Sequence, residues 1–160
     1  MSLKPSLIEA VPSETIRVAR AAFPKGNLYL AMRDELGVLF EDADFAELFP
    51  RRGQPAFAPR RLALITIMQF LENLSDRQTA DAVRSRIDWN YALGLKLTDS
   101  GFDHSVLSGF RERLADGGQQ TLLLDRMLEL LRRKKLLKAR GKQRTDSTHV
   151  LASIRGKQSN

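Results

Sequence analysis

The residues of this chain best suited to chemistry lie near its end. Asp146 sits in an alternating segment, where Thr145, Ser147, His149 and Leu151 interleave with Asp146, Thr148, Val150 and Ala152. That is the period of a short strand rich in β-branched residues. Just before it, residues 132–144 hold eight basic side chains in thirteen positions, with no acid among them: Arg132, Arg133, Lys134, Lys135, Lys138, Arg140, Lys142 and Arg144. A carboxylate beside such a block suggests phosphate and metal chemistry. Two metal ions bridged by carboxylates stabilise both the attacking and the leaving oxygen of phosphoryl transfer, which a single carboxylate cannot do. No acidic residue follows Asp146, so partners for it cannot lie downstream here, and we expect the chain to be the opening part of something longer. By residue type alone, a lone aspartate in a short strand is more often a turn or edge charge, and His149 more often packing or surface.

Other chemistries have little to work with. The chain has no cysteine, and its two histidines, His104 and His149, are 45 positions apart. Disulfides, thiolate nucleophiles and cysteine-based zinc sites are excluded, and any metal should be oxygen-liganded, such as Mg²⁺. Trp89 and Tyr91 could stack on bases, but anchoring a core between helices is the better reading.

The elements that position these groups read as helix after helix. Pro12 and Ser13 precede a helix over 14–22, ended by Pro24 and Gly26, and Asn27 caps a second that stops at Gly37. A third spans about 42–49. Pro59 suits the first position of a helix over 60–74 that is apolar nearly all round, and so should be the buried hub. Ser75-Asp76-Arg77-Gln78 has the form of a capping box opening a helix over 76–86. Asp88 should cap a short turn closed by Gly94, and Asp103 a helix over 104–115 whose outer face shows Arg111 and Arg113. A long helix over 119–137 follows Gly117-Gly118.

Helices 76–86 and 103–115 could form the DNA-binding part of a helix-turn-helix-like bundle, with Arg111, Arg113, Ser105 and Ser108 offered to a groove or to phosphates. About 16 residues separate them, against 3 to 4 in a compact helix-turn-helix. The bland reading of such arginines is a solvated helix face.

Charge placement is more telling than the net charge of +7. Residues 1–50 carry 5 basic and 8 acidic groups, 51–120 carry 10 and 8, and 121–160 carry 11 and 3. An excess held at one end favours a polyanionic partner, nucleic acid first. The bland alternative is a helix C-terminus favoured by its dipole and followed by a solvated linker. With 42% hydrophobic residues over 160 positions, the chain has enough apolar content for one domain with a core. No stretch is long and apolar enough for a membrane span, and the first residues lack a secretory h-region. We expect a soluble, cytoplasmic protein with no membrane partner.

Several linked segments carry a resemblance. Leu74-Ser75-Asp76-Arg77-Gln78-Thr79-Ala80-Asp81-Ala82-Val83-Arg84, then Ile87-Asp88-Trp89, Tyr91-Ala92-Leu93-Gly94-Leu95, Phe102-Asp103-His104-Ser105, Leu107-Ser108 and Phe110-Arg111-Glu112-Arg113-Leu114 closely resemble the N-terminal domain of bacterial insertion-sequence transposases of the DDE class. Arg144-Thr145-Asp146-Ser147-Thr148-His149-Val150 is similar to the segment that opens their catalytic domain, although Thr145 stands where an aliphatic residue is more usual. The resemblance implies DNA transposition at the inverted-repeat ends of a mobile element by an RNase H-like core. It also implies that Asp146 is the first of an Asp-Asp-Glu set holding two Mg²⁺ ions, whose later members would lie beyond Asn160.

The expected fold is all-α, a multi-helix bundle with a helix-turn-helix-like portion. A basic linker and one short C-terminal strand of an incomplete RNase H-like domain follow it. Residues 10–138 would be the helical, DNA-binding domain and 139–160 the linker and the start of a truncated catalytic domain. DNA contacts fall to Arg111, Arg113 and the eight cations of 132–144. No cofactor is expected for this length of chain, with Mg²⁺ reserved for a full-length relative, and homo-oligomerisation is open. The rival reading is a helical dimerisation module without specific DNA binding. An intact nuclease is a third, disfavoured by the lack of acids after Asp146.

Overall fold

The computed structural model describes residues 10–37, 40–48 and 57–134. Among these, seven α-helices and one 3₁₀ helix occur and no strand, so the described part of the chain is all-α as expected. The basic linker, the C-terminal strand and Asp146 lie outside the described residues.

Helix α1, Ser13–Ala22, starts after Pro12, whose carbonyl accepts from Ile16. Helix α2, Leu28–Leu36, opens on Asn27, whose side chain accepts from the Leu30 amide at 3.0 Å, a side-chain answer to one of the orphan donors of a helix start. Residues Asp42–Leu48 form a 3₁₀ helix where an α-helix was expected. Short segments often settle for i→i+3 bonding, and Asp44 fixes the entry by accepting from the Glu41 amide.

Helix α3, Pro59–Glu72, begins with proline at its first turn and buries ten of its residues, confirming it as a hub. Helix α4, Asp76–Ser85, has both halves of the capping box, with Gln78 N donating to Ser75 Oγ and Ser75 N to Gln78 Oε1. A single residue, Arg86, in extended conformation (φ −98°, ψ 121°), joins it to α5, Ile87–Leu93. Asp88 therefore lies inside α5 rather than capping it. Its carboxylate accepts from its neighbour's amide, Asn27 and Arg86. Helix α6, Ser105–Asp116, starts one residue after His104; Asp103 still serves its entrance, accepting from the Ser105 amide at 3.0 Å. Helix α7, Gln120–Lys134, ends the described chain.

Helix α5 is a second hub that hydropathy alone understates. Asp88, Trp89, Asn90, Tyr91, Ala92 and Leu93 are all buried, packed among α1, α2, α3 and α4. Its C-terminal end points inward, where unpaired carbonyls would be costly. Side chains meet four in a row. Arg33 donates to Ala92 O, Arg61 donates to both Leu93 O and Gly94 O, and the Thr15 hydroxyl donates to Leu95 O at 2.7 Å. Two guanidinium groups at the negative end of a helix are also favoured by its dipole.

The core between the helices is apolar and aromatic. Phe45 packs edge-on to Phe110 at 5.7 Å, and Tyr29 edge-on to the fully buried Trp89 at 5.9 Å. Leu107, Phe110 and Leu114, three of the spaced positions of α6, face this core as their periodicity predicts.

Candidate nucleic-acid interface

Helices α3 and α4 are joined by three residues, Asn73, Leu74 and Ser75. Asn73 takes the left-handed conformation (φ 55°), with Leu74 N bonded back to Gln69 O and Asn73 N to Phe70 O, the double closure of a Schellman stop. The next residue but one is the capping-box serine. The connection has the length of the turn in a compact helix-turn-helix, and α6 packs on both helices. Helices α4 and α6 do lie together, but α5 occupies the chain between them.

The turn is locked from three elements at once. Gln69 of α3, almost wholly buried, donates to Leu74 O at 3.1 Å and to Asp76 Oδ1 at 2.8 Å. Arg111 of α6 grips the same carboxylate with both prongs, at 2.9 and 2.8 Å. Arg111 is thus turned inward with its side chain 28% exposed, not displayed on the outer face expected for it. Arg113 is partly buried in the last turn of α6.

The outward faces of the two helices differ in charge. On α6 the exposed residues are Asp103 at its entrance, Ser105, Ser108, Glu112, Ala115 and Asp116. Two hydrogen bonds from Ser105, side chain and then backbone, hold the Asp103 carboxyl below the usual carboxylate range, with help from the charges of His104 and Arg77. On α4 the exposed residues are Arg77, Gln78, Asp81, Arg84 and Ser85. Arg84 pairs with Asp81 and reaches Phe102 O at 3.4 Å. Its stem lies over Gly101, where a built Cβ would come within 2.8 Å of Arg84 Cγ.

Most other arginines of the bundle serve structure. Arg20 bridges Asp34 and Tyr91; Arg60 forms an ion pair with Asp42 at 2.8 Å, both nearly excluded from solvent. Arg86 lies over the rings of Tyr29 and Trp89 and pairs with Glu72 and Asp88. Burial would raise the Glu72 carboxyl, but hydrogen bonds from Arg86, Tyr29 and Trp89 outweigh it and hold the group below its ordinary value.

Of the remaining cations singled out in the sequence, Arg132, Arg133 and Lys134 belong to the last turn of α7, and their side chains lie outside the described set. Lys135, Lys138, Arg140, Lys142 and Arg144 lie outside the described residues altogether, as does His149. Through residue 131 the chain carries 16 basic and 18 acidic groups, and from 132 onward ten and one. No group of three His, Cys, Asp or Glu able to hold a metal ion exists among the described residues, so those residues do not fit a Mg²⁺ site. None of the described helices is long and apolar enough to cross a membrane.

Sequence reasoning passed over Arg77 and Arg84. The signal was present: the capping box fixes where α4 starts, and residues seven apart on a helix share a face.

Among the described residues the chain is an all-α bundle in which a short, locked turn joins α3 to α4. A family model described as a transposase domain (DUF772) matches residues 17–113, from within α1 to the last turn of α6. This chain belongs to that transposase domain family. No curated protein and no solved structure gives a significant match.

Proposed function

We propose that the chain is the N-terminal, DNA-binding part of an insertion-sequence transposase of the DDE class, gripping the inverted-repeat ends of a mobile element. The single observation that supports this most is the charge division. The body through residue 131 is slightly acidic overall, while ten cations against one acid follow from residue 132. A run that dense repels itself unless a polyanion neutralises it. Arg132, Arg133, Lys134, Lys135, Lys138, Arg140, Lys142 and Arg144 would contact phosphates, and Arg113 would join them from α6. Arg111 would reach a phosphate only by releasing Asp76. Asp146 would be the first acidic ligand of a two-Mg²⁺ site in a protein that also supplies a second aspartate and a glutamate. The described residues hold no such set.

The test is duplex binding by the 160-residue chain across a salt series. Each phosphate-contacting cation adds about 0.9 to the slope of log affinity against log salt. Replacing Lys135, Lys138, Arg140 and Lys142 by glutamine should weaken binding to all duplexes alike and flatten the slope by about 3.6 units, four cations at about 0.9 each. Salt-insensitive self-association without DNA binding would replace this reading with the dimerisation module.

A further inference from the structure

We infer that α4 is the element that enters the major groove, with Arg77 reading a base edge and Arg84 set against the phosphate backbone. The inference rests on the DNA-binding reading above and adds to it the helix and the residues that carry sequence preference.

Three observations support it. The three-residue turn has the length of a compact helix-turn-helix turn and places α4 second, the position from which such motifs address a groove through residues near the helix start. Gln69 and Arg111 lock that turn through Asp76, so α4 is presented rigidly. The exposed faces then choose between α4 and α6. Glu112 and Asp116 are exposed on α6, where they would repel phosphates. On α4, Arg77 and Arg84 are exposed, and the acid between them, Asp81, is paired with Arg84.

The two arginines lie two turns apart on one face, about 10 Å along the axis, a span that fits within a major groove about 12 Å wide. Arg77, in the first turn, has the donor fork that pairs with guanine O6 and N7. Arg84 is steadied by Asp81 and by Phe102 O, which suits a fixed phosphate contact. Gln78 spends its carbonyl on the Ser75 amide, so it cannot offer adenine the two-pronged contact of a free glutamine.

The experiment selects bound duplexes from a random-sequence pool with the wild-type chain, Arg77→Ala, Arg77→Lys and Ser108→Ala, each checked by thermal melting. Arg77 is exposed, so its variants should melt as the wild type does. The expected result is a wild-type motif with a guanine position that both Arg77 variants lose, a fall of about 5- to 150-fold in preference there, while Ser108→Ala keeps it. Arg77→Lys should keep the wild-type salt slope, because it retains the charge but not the fork. A motif untouched by Arg77→Ala, moved by Ser108→Ala, or absent from a wild-type chain that still binds duplex would overturn the inference and leave the DNA-binding reading standing. No duplex binding at any salt would overturn both.

Discussion

Gly101 shows how one position connects the loop to the helix face. Its φ of +70° is a conformation L side chains rarely adopt, and an added Cβ would fall 2.8 Å from Arg84 Cγ. The arginine stem is flexible in itself, but its head is tied to Asp81 and Phe102 O. Gly101→Ala should therefore cost about 1–2 kcal/mol, seen as a lower urea midpoint with an unchanged slope. Displacing Arg84 should also weaken duplex binding, which the same variant can report. Arg111 makes the opposite case, a basic residue whose partner is protein. Its two-pronged bond to Asp76 is partly shielded, so Arg111→Ala and Asp76→Ala in a double-mutant cycle should show a coupling of about 1 kcal/mol. Additive effects would mean the pair contributes nothing to locking the turn.

At the scale of elements, the inward-pointing end of α5 carries a specific prediction. Arg61 is a donor to both Leu93 O and Gly94 O, and charge-assisted bonds to buried carbonyls matter most when the acceptor has no water to turn to. Arg61→Ala should lower stability by about 2 kcal/mol in urea unfolding, and a neutral result would show that solvent reaches those carbonyls. The sequence made the helix punctuation legible where it rests on local chemistry: Pro59 at a first turn, the Ser75–Gln78 capping box, Asn27 as a cap, and Gly37 and Gly94 as stops. It was silent where partners come from far along the chain. Asp88 reads locally as a cap, yet Arg86 joins two helices with no gap, and the carboxylate is taken by Asn27, 61 residues away. Arg111 reads as an outward cation because nothing local announces Asp76. The buried standing of α5 was hidden for a related reason: Asp88 and Asn90 lower its hydropathy, and it is their hydrogen bonds to Arg86, Asn27 and the Val83 carbonyl that make their burial tolerable.

Taken whole, the bundle is tied together by carboxylates that must stay ionised, and this sets its response to acid. Glu72 on α3 accepts from Tyr29 on α2, from Arg86 at the α4–α5 joint and from Trp89 on α5. Asp34 on α2 accepts from Arg20 on α1 and Tyr91 on α5. For both, burial pushes the carboxyl up, but the hydrogen bonds prevail and leave it below its ordinary value of 4.5 for Glu72 and 3.8 for Asp34. A carboxyl with a lower folded than unfolded pKa contributes stability that is fully present above the unfolded value and is lost as pH falls through the folded one. Stability should thus be level from neutrality down to about pH 5, then drop steadily toward pH 3. Glu72→Gln keeps the shape but removes the titration, so it should lower stability at pH 7 and flatten the acid limb, with the two proteins converging as pH falls. Parallel curves in urea unfolding across that range would show that Glu72 is not among the groups driving acid unfolding.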